Sequence, residues 1–307
     1  MKNTLEFIYY NLKYQYINNI AKTDLYDAIG VPRLDDVGIY QCISDAIEEK
    51  RPLCIGKIGG SEDRALASHY FRRREREAYK QLCLWSGFFP KEYDEAAFCA
   101  YYEVQRKAIE QLDVILSYPK KYEALWIRKF ASKDLKICEW ITPWMEEKSW
   151  MECLRGKRVL VIHPFSELIE EQYAKREKLF TQPDKLPEFE LHTIKAVQTI
   201  ADSQDDRFGT WMEALDYMTA EAAKVDFDVA LIGCGAYGLP LAARIKQMGK
   251  IGLHCGGELQ TYFGIRGKRW DVFAWDKFQD VCNEHWVYPG EREKPSGAQK
   301  VEDGCYW

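Results

Sequence analysis

Between Arg158 and Gly257 the chain repeats one pattern: a short apolar run, a sharp turn, then an amphipathic stretch of helical length. The apolar runs predict strands at Arg158-Val-Leu-Val-Ile-His, Phe189 to Val197, Asp228-Val-Ala-Leu-Ile-Gly and Ile251-Gly-Leu-His-Cys. The stretches between them predict helices over Ser166 to Phe180, Trp211 to Val225 and Tyr237 to Met248. Strands alternating with helices of about 10–15 residues fold as a parallel sheet, because each parallel connection must cross over and lays its helix on a face. Right-handed crossovers then bring every strand's C-terminal end to one edge, where ligands bind. The expected class is therefore α/β, a mostly parallel sheet with helices on both faces.

The rest of the chain is organised around that unit. Residues 1–50 read as an N-terminal helical segment, with apolar and aromatic positions three to four apart in LEFIYYNLKYQYI and VGIYQCISDAIEE. Residues 51–288 form the expected α/β domain, with a helical, aromatic-rich insertion around 75–150. Residues 289–307, rich in Gly, Pro, Glu and Lys, are expected as a surface tail, and the aromatics of its Cys305-Tyr-Trp ending must dock somewhere.

With 307 residues, 47% of them hydrophobic, the chain can bury a large core. A net charge of -5 argues against nucleic acid as a partner. The one basic cluster, Arg72 to Arg76, is broken by Glu75 and reads as a solvated helix face, or else as a contact for phosphate or a membrane surface. The ten cysteines include no Cys-x-x-Cys and no zinc spacing, and several lie in apolar runs. Neither a signal peptide nor an apolar stretch of about 18 residues is present, so the expected location is the cytoplasm and no transmembrane segment is expected.

Four strand ends carry candidate chemistry. Gly233-Cys-Gly235-Ala-Tyr237-Gly238 is a G-x-G-x-x-G between a strand and a helix, where backbone N–H groups attract phosphate. Glu258 follows about 20 residues on, where a dinucleotide fold places its ribose-binding acid. Plain strand–helix packing is the other reading of these glycines. Lys57-Ile-Gly59-Gly60-Ser61-Glu62 is a second such turn: Lys57 can face a phosphate, Ser61 can cap the helix, and Glu62 can hold a metal ion, a proton or sugar hydroxyls. A capping acid is the plainer role for Glu62. His163 and His254 end two strands, as candidate bases or as structural hydrogen-bonders. After His254 come Gly256, Gly257 and Gln260, then Arg266, Lys268 and Arg269, a cluster able to neutralise a diphosphate, with Trp270 placed to stack on a base.

The segment Lys57 to Glu62 resembles the R-x-G-D-G-E motif of GT-D-type glycosyltransferases, and Asp228 to Gly257 resembles their later strand, glycine turn, helix and strand. From about residue 50 onward the chain also looks like uncharacterised proteins of bacterial polysaccharide loci, notably in LIGCGAYGLPLAARIKQMGKIGLHCGG, FGIRGKRW and VEDGCYW. The resemblance implies a Rossmann-like fold and transfer of a sugar from a nucleotide-sugar donor to a glycan or glycoconjugate acceptor. In that family a D-x-E pair holds a divalent cation, Mn²⁺ or Mg²⁺. Here Gly60 stands for the aspartate and Lys57 for the arginine, which leaves Glu62 as the remaining metal ligand. Asp63 adjoins it but points about 100° away on a helix. An alternative is a cationic route, with Arg266, Lys268 and the helix start at Gly238 stabilising the departing diphosphate. Two other functions are weighed against the transferase: an NAD(P)-dependent oxidoreductase using Gly233–Gly238, and a non-catalytic nucleotide-sugar-binding protein. The aromatic-rich insertion is a possible oligomer interface.

Overall fold

The computed structural model describes residues 2–17, 30–117, 120–139, 142–144, 147–201 and 203–307. The first part of the chain forms α1 (Lys2–Ile17), β1 (Arg33–Leu34), α2 (Asp36–Glu48), β2 (Leu53–Gly56), α3 (Gly60–Phe71), α4 (Glu75–Ser86) and α5 (Glu95–Glu110). Next come β3 (Val114–Ser117), α6 (Glu123–Phe130), β4 (Lys136–Glu139), β5 (Arg158–His163), α7 (Ser166–Tyr173), α8 (Arg176–Leu179) and β6 (Glu190–Lys195). The last part forms α9 (Trp211–Ala223), β7 (Val229–Ile232), α10 (Gly238–Gln247), β8 (Ile251–His254), α11 (Leu259–Tyr262), α12 (Lys268–Phe273) and α13 (Trp275–Phe278).

The strands make one eight-stranded sheet in the order β1-β4-β3-β2-β8-β7-β5-β6. Every pairing in it is parallel. The fold is thus α/β and Rossmann-like, as the alternation of elements predicts. Its two halves are contiguous in sequence: β1–β4 come from residues 33–139 and β5–β8 from residues 158–254. They meet at one seam, β2 against β8, with Leu53 beside Ile251 and Ile55 beside Leu253.

Both faces of the sheet are covered. Leu53 and Ile55, Val159 and Val161, and Val229 and Leu231 point into one core, while the residues between them, Cys54, Leu160 and Ala230, point into the other. A strand buried on both faces cannot alternate apolar with polar residues, which is why these runs read as continuous apolar segments. One core is closed by α3, α4, α5, α6, α9 and α10. The other is closed by α2, the turn Trp150–Leu154, α7 and the C-terminal segment. No described helix is long and apolar enough to cross a membrane.

Three expectations change. The aromatic-rich stretch 75–150 supplies two strands of the sheet, β3 and β4, besides its helices. Its Tyr79, Phe88, Phe98, Tyr101 and Trp126 fill the first core. The helix expected over Ser166 to Phe180 is broken between α7 and α8. The C-terminal tail is anchored rather than superficial: Val301, Cys305 and Trp307 are buried in the second core, and the Trp307 indole donates to the Glu293 carbonyl at 2.9 Å.

Candidate functional site

Along the C-terminal edge of the sheet lies a cavity of about 820 Å³, walled by the segments that follow β2, β3, β4, β5, β6, β7 and β8. That volume falls in the range of small-molecule sites, and the position is where open parallel sheets bind ligands.

The β2–α3 turn enters from one half of the sheet. Gly59, in extended conformation, is the N-cap of α3, and its helix starts at Gly60 without a side-chain cap. Ser61 is therefore not the cap. Its hydroxyl instead lies 2.5 Å from that of Ser86 and donates to Glu62 Oε2 at 3.1 Å. Glu62 lines the cavity and, among the described residues, has no ion-pair partner. A Cβ on Gly59 would stand 2.0 Å from Glu62 Oε2, whereas one on Gly60 would meet nothing within 4 Å, so the turn is open to the cavity at Gly60. Asp63 turns away as helical spacing predicts. It accepts from the Trp126 indole at 2.8 Å and the Tyr122 N–H at 3.3 Å, and burial pushes its carboxyl up to about 7.

Of the cationic side chains in the wall, Lys57 and Arg269 are paired with carboxylates, while Arg64 donates to the Gln81 side-chain carbonyl at 3.1 Å and lies over the Trp85 ring. Lys57 forms an ion pair with the buried Glu258, which is thereby committed to a lysine. Gly256 (φ +67°) makes room for that lysine, since a Cβ there would stand 2.8 Å from its Nζ. Lys120, lowered by burial, faces the Coulomb field of Glu123, which accepts from Ser117 Oγ at 3.1 Å. Arg269 pairs with Glu302 and donates to the Tyr306 hydroxyl at 3.0 Å. Arg266 and Lys268, expected beside it, are not in the wall. Arg266 pairs with Asp271 at 2.8 Å and lies over the Tyr288 ring, and Lys268 donates to the Asp303 carbonyl at 3.2 Å. Gln260 borders the cavity but donates to the Arg266 carbonyl at 2.8 Å and the Tyr306 carbonyl at 3.2 Å, which pins the tail. Trp270 is in the wall.

The G-x-G-x-x-G turn also reaches the cavity, yet its glycines serve packing. A Cβ on Gly233 would stand 2.6 Å from His163 Cδ2, one on Gly235 (φ +57°) 2.7 Å from the Ser86 carbonyl, and one on Gly238 inside the His254 ring. A Cβ on Gly257 would run into the Tyr306 ring. Tyr237 is buried, stacks on Trp211 at 5.1 Å and shares a 3.2 Å hydrogen bond with Thr199. The imidazole of His254 therefore occupies the space where a side chain on the first residue of α10 would stand, while Gly233, Gly235 and Tyr237 border the cavity.

The two histidines line the cavity as neutral imidazoles. Burial pushes both imidazoles down to about 3, assisted at His254 by the charge of Lys57. His163 Nδ1 accepts from the Phe165 N–H at 3.0 Å, which leaves its proton on Nε2 as a donor. His254 Nδ1 lies 3.3 Å from the Ile232 carbonyl and holds its proton there.

Few protein donors for a divalent cation converge on the cavity. No group of three His, Cys, Asp or Glu side chains among the described residues is placed to hold a metal ion. Glu62 stands alone at its turn, Gly60 offers no side chain, and Glu258 is taken by Lys57.

Sequence reasoning missed Lys120, Ser86 and Thr199, and did not place Tyr306 and Trp307, all in this wall. Lys120 follows β3, so recognising that strand would have pointed to it by the strand-end rule.

Fold and site together define an α/β, Rossmann-like protein with a ligand-sized cavity at the carboxyl edge of a parallel sheet. Of the two segments that resemble GT-D-type glycosyltransferases, 57–62 forms the turn after β2 and the first residues of α3, and 228–257 forms β7, the glycine turn, α10 and β8. No family model and no curated protein matches the chain. Among solved structures it is similar to one described as the selenomethionine-substituted structure of domain of unknown function 1792, at 11% identity and a TM-score of 0.38. That likeness covers 85% of this chain and 96% of the other.

Proposed function

We propose that the chain is a glycosyltransferase that moves a sugar from a nucleotide-sugar donor to a glycan or glycoconjugate acceptor, in the cytoplasmic phase of bacterial surface polysaccharide synthesis. The observation that carries this reading is Glu62: a carboxylate with no cation partner among the described residues, at the open turn of a ligand-sized cavity, beside the hydroxyls of Ser61 and Ser86. The donor's diphosphate lies against Lys120 and against Lys57, whose ammonium group is held in position by the Glu258 carboxylate. Charge-assisted hydrogen bonds of this kind contribute about 1.5–3 kcal/mol each. The acceptor hydroxyl oxygen forms the new bond to the sugar's anomeric carbon. The bond from that carbon to the phosphate oxygen breaks, the diphosphate leaves with the electron pair, and the hydroxyl proton passes to Glu62. The histidines shape the wall and donate hydrogen bonds.

The test is a thermal-shift panel of nucleoside diphosphates, nucleotide sugars and NAD(P), with and without Mn²⁺ or Mg²⁺, followed by turnover of Glu62→Gln. A nucleoside diphosphate series that stabilises the protein without metal, together with loss of transfer in Glu62→Gln, is the expected result. Stabilisation by NAD(P) alone would point to an oxidoreductase. Donor binding with no turnover by wild-type protein would point to a non-catalytic binding protein, and wild-type turnover in Glu62→Gln would remove that residue's role.

A further inference from the structure

The helix α1 is apolar on two opposite sides. Tyr10 is buried in the first core and Phe7 packs against it. On the opposite side Leu5, Ile8, Tyr9 and Leu12, at spacings of three and four, are exposed, Leu5 by 68% and Leu12 by 60%. A contiguous exposed apolar stripe marks a contact surface, and this one is covered by none of the described residues.

The flanks of α1, between its buried side and that stripe, carry the opposite sign to the chain, whose net charge is -5. Arg72, Arg73, Arg74 and Arg76 are exposed where α3 passes into α4, and Arg73 lies 4.5 Å over the Phe7 ring of α1. From α6, Arg128 stands over Tyr10, and Lys129 pairs with Glu6 at 3.2 Å. Lys13 of α1 itself reaches the Tyr9 hydroxyl at 3.1 Å. The nearby carboxylates Glu6, Glu75, Glu77 and Glu95 are fewer than these seven cations.

We propose that α1 and the Arg72–Arg76 cluster form a docking surface for an anionic lipid bilayer. The apolar stripe enters the acyl boundary and the arginines meet the phosphate headgroups, the arrangement by which in-plane amphipathic helices bind membranes. A second copy of the chain is the poorer occupant, because an isologous contact would press one arginine cluster toward the other. The surface lies at the C-terminal end of α3, whereas Glu62 is at its N-terminal end. A helix of 12 residues separates them by about 18 Å. This inference is independent of the proposed chemistry.

The experiment is co-sedimentation of the full chain with phosphatidylcholine vesicles and with mixed phosphatidylcholine–phosphatidylglycerol vesicles, at low and high salt. Wild-type protein is expected to sediment with the mixed vesicles only, and less at high salt. Leu5→Glu/Leu12→Glu and Arg73→Glu/Arg74→Glu should each weaken binding at least about tenfold while leaving the thermal midpoint unchanged. All four positions are exposed, so both variants should fold. No binding by wild-type protein overturns the proposal. So does binding that ignores lipid charge, or loss in the arginine variant alone. Self-association in sedimentation velocity that Leu5→Glu/Leu12→Glu abolishes, without vesicle binding, assigns the stripe to a second copy and overturns it as well.

Discussion

Two glycine turns face the same cavity, and they use glycine for opposite purposes. At Gly233–Gly238 the space where side chains would stand is filled by His163, the Ser86 carbonyl and the His254 ring. At the other turn Gly59 is packed against the Glu62 carboxylate, 2.0 Å from where its Cβ would stand, but at Gly60 that space is empty and opens to the cavity. The turn with the stronger fingerprint is thus the packed one, and the turn with the weaker motif is the open one. A glycine pattern reports that something comes close to the backbone. Whether that something is a ligand or the protein's own imidazole depends on residues far away in sequence.

The largest effect that separates the two turns is steric. Gly238→Ala should cost about 2–3 kcal/mol in denaturant unfolding, because its Cβ meets a ring fixed between β8 and α10. Equal stability to wild type would show that His254 can step aside. Next comes acid sensitivity, since the packed turn is closed by neutral imidazoles. The folded pKa of His163 and His254 is about 3, against about 6.5 unfolded. Their contribution is therefore complete above pH 6.5 and is lost as pH falls. Asp63 acts with the opposite sign, because its folded pKa is raised to about 7 and the folded state holds the extra proton. Two histidines against one aspartate leave a net uptake of about one proton on unfolding, or about 1.4 kcal/mol lost per pH unit between pH 6.5 and 5. His69, also lowered by burial, adds in the same direction. Thermal or chemical unfolding across this range should show the loss, and His254→Gln should flatten it.

A smaller effect concerns the open turn. Gly60→Asp places a carboxylate two residues before Glu62, and calorimetric titration should then detect Mn²⁺ binding at least about tenfold tighter than in wild-type protein. Absence of that gain would mean that the Gly60 side of the cavity points away from Glu62. The smallest effect is Gly60→Ala, expected within about 1 kcal/mol of wild type and stabilising in sign, since alanine suits a helix better than glycine.

The second half of the sheet was legible because β5, β7 and β8 are buried on both faces and each is followed by a turn and a helix. In the first half only β2 stood out. β3 and β4 are four residues each and sit between aromatic-rich helices, whose periodicity dominates any window wide enough to show them. The cation cluster failed for a different reason. Arg266, Lys268 and Arg269 adjoin in sequence, but α12 begins at Lys268 and turns successive side chains by about 100°, so Arg269 enters the cavity wall while Lys268 faces solvent. The histidines were found in place, yet their protonation depends on burial that only the assembled fold produces.

The seam between β2 and β8 also bears on the order of folding. It pairs residues almost the whole length of the sheet apart in sequence, Leu53 with Ile251, so it closes the longest loop in the sheet. Contacts this distant are slow to form. Each half can gather its own local pairings first, and their docking would then be the late step. The cavity straddles that junction, with Lys57 supplied from one side and Glu258 from the other. A molecule bound across it would act as a rivet, slowing the chain's unfolding far more than it hastens its folding.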